Sequence, residues 1–162
     1  KDQKTYQKIK QACFKQLIDA VNWFEKKNKQ NIDHIILLQP TSPNRNLKQI
    51  REIINFYNRN NLSSLTTISP INVNNNSILS KTKNGYAFLR NKRPLYKIDG
   101  NLYICSKNFL KKNKNFSIAK KTYFFLNKNQ FSIDINTKED FLIAKNIMES
   151  NDKKKFIKIS NK

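Results

Sequence analysis

Four consecutive aliphatic residues, Ile35, Ile36, Leu37 and Leu38, run straight into Gln39-Pro40-Thr41-Ser42-Pro43. A continuous apolar run of this length suits a strand buried on both faces, the situation of inner strands in α/β sheets. Pro40 and Pro43 each fix φ and withhold an N–H, so the strand has to stop there and the loop takes a fixed extended shape. Beyond the loop, Asn46 with Gln49 three residues later reads as a capping box. It opens a helix with Ile50, Ile53, Ile54 and Tyr57 on one side. Ser63 to Ser69, rich in Thr, Leu and Ile, supplies the next strand. Residues 33–69 are therefore predicted to form a strand-helix-strand unit with a right-handed crossover.

The rest of the chain extends this pattern. Tyr6, Ile9, Cys13, Leu17, Ala20, Val21 and Phe24 recur at helical spacing and predict a preceding amphipathic helix. Residues 70–85, with Pro70 and Asn74-Asn75-Asn76, read as loop, interrupted at most by a short strand at Ile78-Leu79. Further strands are predicted at Tyr86–Leu89, Leu102–Cys105, Tyr123–Leu126 and Phe131–Ile135, with a short helix from Ser106 to Leu110. Thr137 and Asp140 form a second capping box. Phe141, Ala144, Ile147 and Met148 follow on one helical face. At 162 residues the chain is one domain by length, expected to occupy 1–151 and to be followed by a frayed basic tail, 152–162, in which Phe156, Ile157 and Ile159 are available for an edge strand. The fold class is α/β, with a mostly parallel sheet flanked by helices.

The formal net charge of +21 first suggests nucleic-acid binding through counterion release. Its makeup argues otherwise. Arg45, Arg51, Arg59, Arg90 and Arg93 are the only arginines among 32 basic residues, whereas base and phosphate recognition favours the forked guanidinium. The lysine excess, beside many Asn and Ile and only two glycines, fits a codon bias toward A and T, with lysine serving as solvated surface. Nucleic acid is thus not the expected partner. No apolar stretch approaches the roughly 18 residues of a membrane span, and Cys13 and Cys105 lack C-x-x-C spacing. A soluble cytoplasmic protein with reduced thiols is expected. The absence of GxGxxG, Walker, HxxxH and CxxC patterns excludes the common dinucleotide, P-loop and zinc enzymes.

Three stretches carry chemistry. Gln39, Thr41, Ser42 and Arg45 lie just past the carboxyl end of a buried strand, where open α/β sheets bind ligands. Their amide and hydroxyls suit a hydroxyl- or amide-bearing substrate. A rigid turn that merely satisfies its own backbone is the alternative, and the residues alone leave both open. Asp134 and Asn136 alternate with Ile133 and Ile135, so on a strand their oxygens line one face, an arrangement Mg²⁺ accepts when it bridges protein and nucleotide phosphates. The alternative is that Asp134 caps a turn and Asn136 starts the helix. Asp140 is explained by the capping box. Arg90 to Tyr96, followed by Asp99-Gly100-Asn101-Leu102-Tyr103, offers basic groups for a carboxylate or phosphate and a tight glycine before a strand. A solvated loop is the bland alternative there. His34, without a visible partner, reads as structural.

Taken in order, Leu37-Leu38-Gln39-Pro40-Thr41-Ser42-Pro43-Asn44-Arg45, then Arg90 to Pro94 and Asp99-Gly100-x-x-Tyr103, then Ser132-Ile133-Asp134-Ile135-Asn136-Thr137-x-x-Asp140 resemble the signatures of the acylneuraminate cytidylyltransferase (CMP-sialic acid synthetase) family. The likeness runs from about residue 12 to residue 148. It implies a Rossmann-like nucleotidyltransferase sheet, usually dimeric, and transfer of CMP from CTP to an acidic sugar with release of pyrophosphate and with Mg²⁺ as cofactor. By the same likeness Gln39 touches the acceptor sugar, Thr41, Ser42 and Arg45 shape its pocket, Asp134 and Asn136 hold metal, and Asp134 and Arg90 are the catalytic pair, Arg90 meeting an anionic group across a dimer interface. The family's opening strand and CTP-cradling loop have no counterpart here, so the chain is expected to begin downstream of them. Asn136 replaces the second aspartate of the family's D-I-D, a weaker Mg²⁺ ligand that shifts the metal role toward Asp134. Asn91 and Asp99 stand where the family has Gln and often Asn.

Overall fold

The computed structural model describes residues 3–71, 79–83, 85–88, 94–127 and 133–160; for 3–13, 80, 82, 86, 88 and 151–160 only the backbone is described. Arg90 and its neighbours through Arg93, the start of the strand expected at Phe131, and Ile78 lie outside these residues.

Helix α1 (Gln3–Asn28) precedes strand β1 (His34–Leu37), helix α2 (Leu47–Arg59) and strand β2 (Ser64–Pro70). A hairpin of β3 (Leu79–Thr82) and β4 (Gly85–Phe88) follows, then the long strand β5 (Tyr96–Ser106), helix α3 (Lys107–Asn113), strand β6 (Tyr123–Leu126) and helix α4 (Lys138–Ser160). The main sheet has the order β1-β5-β2-β6. β5 runs antiparallel to both β1 and β2, whereas β2 and β6 are parallel. The sheet is therefore mixed rather than mostly parallel in its pairing. β1, β2 and β6 do share one direction, but the strand-helix-strand unit leaves a one-strand gap between β1 and β2, which β5 fills in the opposite sense. Local composition reports that a strand exists and is silent on its neighbour.

The two faces of β5 are covered by different helices. Ile104 and Leu102 join Leu65 of β2 and Ile53 and Tyr57 of α2 in one cluster. Cys105 turns to the other face, with Ile35 of β1, Val21 of α1 and Phe109 and Leu110 of α3. The alternation follows from the two-residue period of a strand. Burying an Ile or Leu such as Ile53, Leu65 or Leu110 contributes about 1.5–3 kcal/mol each, so truncating Leu65 to Ala is expected to cost about 2–5 kcal/mol. On α1 the core-facing stripe is Phe14, Leu17, Ile18 and Val21. Phe24, expected on that stripe, is 41% exposed. The end of α1 is tied down instead by Glu25, which accepts from Ile32 N–H at 2.7 Å and pairs with Lys107 at 2.5 Å. These donors, the Ile32 N–H foremost, lower the Glu25 pKa.

Both expected helix starts form, with one difference. Asn46 caps α2 by accepting from Lys48 N–H and Gln49 N–H. Gln49 does not reach back to complete a box and donates instead to Asn127 Oδ1 at 2.9 Å. At α4 the box closes in both directions: Thr137 Oγ1 accepts from Asp140 N–H at 3.1 Å and Asp140 Oδ2 accepts from Thr137 N–H at 2.9 Å. The backbone of α4 stays helical through Ser160, so no edge strand forms from 156–159. Of the apolar face expected on α4, Ala144 is buried while Phe141 and Met148 are exposed.

Candidate active site at the strand ends

The shared direction of β1, β2 and β6 brings their carboxyl ends to one rim, and the loop Gln39–Arg45 leaves β1 there. The turn closes with Ser42 N–H donating to Gln39 C=O at 3.1 Å. Arg45 folds back over it, donating through Nε to Asn101 C=O at 3.0 Å and through Nη2 to Gln39 C=O. Partial burial lowers the Arg45 pKa by disfavouring the charge. The guanidinium thus staples the loop to β5, a positioning task beside the pocket-lining one expected from sequence.

β5 is shaped to receive the loop. Thr66 lies opposite Tyr103 and Ile68 opposite Ile98, so on β2 only Thr67 faces the β5 segment Asp99 to Leu102. This bulge re-aims the strand, as bulges beside active sites do. Gly100 sits in it with φ +69, and a Cβ there would lie 2.6 Å from Gln39 Oε1, 2.8 Å from Ser42 Oγ and 3.6 Å from Asp134 Oδ1. Only glycine permits both the positive φ and the close approach. Gln39 and Ser42 of the loop and Asp134, more than ninety residues on in sequence, therefore converge on one residue. The bulge lies within a strand rather than before one, because β5 starts at Tyr96.

Further contacts fix these groups. Ser42 is buried and donates from Oγ to Asp99 C=O at 3.0 Å. Thr41 C=O accepts from Ile135 N–H at 2.8 Å, joining the first and third motifs through the backbone. Tyr103 OH donates to Gln39 Oε1 at 3.3 Å. That bond engages the oxygen of the Gln39 amide, whose Nε2 is a donor group.

Ile133 to Asn136 form no strand, so the expected alternation does not apply. Asp134 and Asn136 are nonetheless together, since Asn136 Nδ2 donates to Asp134 Oδ2 at 3.0 Å and to Asp134 C=O at 3.2 Å. Asp140 is used up by the N–H groups of Asn136 and Thr137, which lower its pKa, Asn136 foremost. Among the described residues no group of three or more His, Cys, Asp or Glu could hold a metal. The donor set fits Mg²⁺ bound through one carboxylate, with water and phosphate oxygens completing its shell. It does not fit a closed protein cage.

Below this rim is a buried polar layer that sequence reading missed. Asp99 is 1% exposed, and its carboxylate accepts from Thr67 Oγ1 at 2.6 Å, Asn101 N–H at 3.0 Å and Asn127 Nδ2 at 2.8 Å. Asn101 Oδ1 is buried without a partner among the described residues. One signal was present: a glycine flanked by Asp and Asn, in a chain with only two glycines.

The remaining reactive groups lie elsewhere. His34 Nδ1 is 2.9 Å from Tyr57 OH, with the rings edge to face. Burial, with a contribution from Cys105, pushes the Tyr57 hydroxyl up to about 12, and burial pushes the Cys105 thiol up to about 12. Neither suits nucleophilic chemistry at neutral pH. A cleft of about 450 Å³, lined in part by Ser63, Ser106, Lys112 and Lys121, opens at the opposite ends of β1 and β2. No described helix is long and apolar enough to cross a membrane.

No family model matches the chain. Among curated proteins, it is 29% identical over 129 residues to the CMP-N,N'-diacetyllegionaminic acid synthase of Legionella pneumophila, covering 74% of this chain and 55% of that protein. It is 26% identical over 117 residues to the N-acylneuraminate cytidylyltransferases of Streptococcus agalactiae serotypes V and III, covering 66% of this chain and 28% of theirs. The chain thus spans about half the length of the first relative and about a quarter of the streptococcal ones. With the Gln39 loop, Gly100 and Asp134 gathered at one rim and these relatives at 26–29% identity, the chain is similar to the acylneuraminate cytidylyltransferases.

Proposed function

We propose that the protein takes part in transferring CMP from CTP to an acidic sugar of the nonulosonic type, with pyrophosphate as leaving group, and that this chain supplies the sugar and metal side of the site. The observation that carries the reading is the convergence of Gln39, Ser42 and Asp134 on Gly100. Gln39, with its oxygen engaged by Tyr103, offers N–H donors to a sugar hydroxyl or carbonyl. Thr41, Ser42 and Arg45 keep that amide in place. Asp134 holds Mg²⁺, with Asn136 as a neutral second donor, and the ion supplies charge neutralisation for the triphosphate. Catalysis in this reading is positioning and electrostatic stabilisation. Arg90, outside the described residues, meets an anionic group of the substrate across a homodimer interface.

The test is release of pyrophosphate, read as phosphate after pyrophosphatase treatment, when the protein is incubated with CTP, Mg²⁺ and N-acetylneuraminate, pseudaminate or N,N'-diacetyllegionaminate. Metal-dependent release with one of the three is expected. No release with any of them, from protein shown to be folded, removes the proposal.

A further inference from the structure

Gly100 can back onto Gln39 and Ser42 only while the bulge keeps its shape, and what holds that shape is a chain of side chains that runs from the partly buried Gln49 to the buried Asn127 and Asp99. Gln49 Nε2 on α2 donates to Asn127 Oδ1 just past β6, and Asn127 Nδ2 donates to Asp99 Oδ2 on β5. Asp99 Oδ1 takes Thr67 Oγ1 and Asn101 N–H, one from each side of the bulge. The Thr67 hydroxyl also accepts from Leu102 N–H at 3.0 Å, replacing the ladder partner that the bulge removes. A carboxylate only accepts, whereas each amide both donates and accepts. The acid at the end of the relay therefore dictates which way both amides point.

We propose that Asp99 is a positioning residue for the substrate site: its carboxylate sets the direction of the Gln49–Asn127 relay and clamps the bulge so that Gly100 forms the floor beneath Gln39 and Ser42. Asp99 never touches a ligand in this arrangement. It acts through its own carbonyl, which takes the Ser42 hydroxyl, and through the adjacent glycine. It also ties α2 and the end of β6 to the rim through Asn127 and Gln49. The proposal rests on reading that rim as the sugar site, yet its central geometric claim can be tested without any sugar.

The network makes a specific prediction about exchange of its two central residues. Asn127→Asp puts a second carboxylate where Asp99 Oδ2 expects a donor at 2.8 Å, so at pH 8 the two acids repel. Adding Asp99→Asn restores every bond named above: Asn at 99 accepts from Thr67 and Asn101 and donates to the new acid, which still accepts from Gln49. Net charge is unchanged. Asp99→Asn alone is expected to be the milder single change, since both amides can turn over.

The readouts are the Gly100 amide resonance, easily found because the chain has only two glycines, the thermal midpoint, and N-acetylneuraminate binding by calorimetry. Asn127→Asp should shift the Gly100 resonance, lower the midpoint and weaken sugar binding roughly tenfold, a coupling typical of residues in one buried network. The double variant should return all three toward wild type. If Asn127→Asp fails to fold, a folded double variant with the wild-type Gly100 resonance still supports the proposal. A double variant as impaired as Asn127→Asp overturns it, and so does a Gly100 resonance that none of the variants moves. Should the wild-type protein bind no sugar while the resonance behaves as described, the proposed function fails and the clamp stands.

Discussion

The backbone N–H of Ile135 donates to the carbonyl of Thr41 at 2.8 Å, so two segments separated by most of the chain are joined by main-chain contact beside the candidate site. The bond needs no particular side chain at either position. It holds Asp134 at the distance from Gly100 that brings its carboxylate to the loop carrying Gln39 and Ser42.

Gly100→Ala tests that convergence. The positive φ costs a β-carbon about 1–2 kcal/mol, and the new methyl group would press on Gln39 Oε1 and Ser42 Oγ at 2.6 and 2.8 Å. Urea unfolding should show a loss of that order. Transfer activity should fall by a larger factor, since the groups displaced are those proposed to meet the sugar. Equal and small effects on both would argue that the rim is only a turn.

Asp134 and Asn136 should separate in a Mg²⁺ titration of transfer activity. Asp134→Ala is expected to abolish metal-dependent turnover while leaving the melting temperature nearly unchanged, because the side chain is half-exposed and its one described side-chain bond is to Asn136. Asn136→Asp adds a second carboxylate and should lower the Mg²⁺ concentration at half-maximal rate by several-fold. A higher requirement in that variant would count against the shared site.

Arg45→Lys keeps the charge and removes the fork. An ammonium cannot hold the carbonyls of Gln39 and Asn101 as two ends of one rigid plane. The loop should loosen at a stability cost of about 1–3 kcal/mol, and KM for the acidic sugar should rise more than kcat falls. A fall in kcat alone would point to a direct role in the chemistry.

The capping box of α4 should appear in the acid limb of stability. Asp140 has a lowered pKa because it accepts N–H bonds from Asn136 and Thr137. The folded value lies below the unfolded one, so its stabilisation is fully present above about pH 4 and fades as the pH falls through the folded pKa. Thermal midpoints of the wild-type protein and Asp140→Ala should therefore differ at pH 7 and converge toward pH 3. A gap that widens on acidification would mean that the carboxylate is not the helix cap.

Much of the local structure was legible from residues alone. Ile35 to Leu38 followed by proline announced a strand and its end, and Asn46 and Thr137 announced helix starts, because these signals act within a few residues. The burial on both faces expected of that run does not hold, since β1 stands at the end of the strand order with Ile36 and Leu38 exposed. The same locality explains the misreadings. Leu102 to Cys105 showed as a short strand although β5 begins at Tyr96; its charged and polar first half is a strand only because β2 lies alongside. Phe24 and Phe141 sat at helical spacing with core residues but face outward, since spacing defines a stripe's period and not which side meets the sheet.

The amino-acid sequence by itself determined which residue types are available for chemistry, where β1 stops and where α2 and α4 start. The tertiary structure alone decided that β5 enters between β1 and β2, that a bulge opposite Thr67 turns Gly100 toward Gln39, and that Asp99, Asn127 and Gln49 form one relay. Those facts depend on pairing and packing between segments far apart in the chain, where the deciding free energy comes from burying and satisfying groups together, and no single segment contains it.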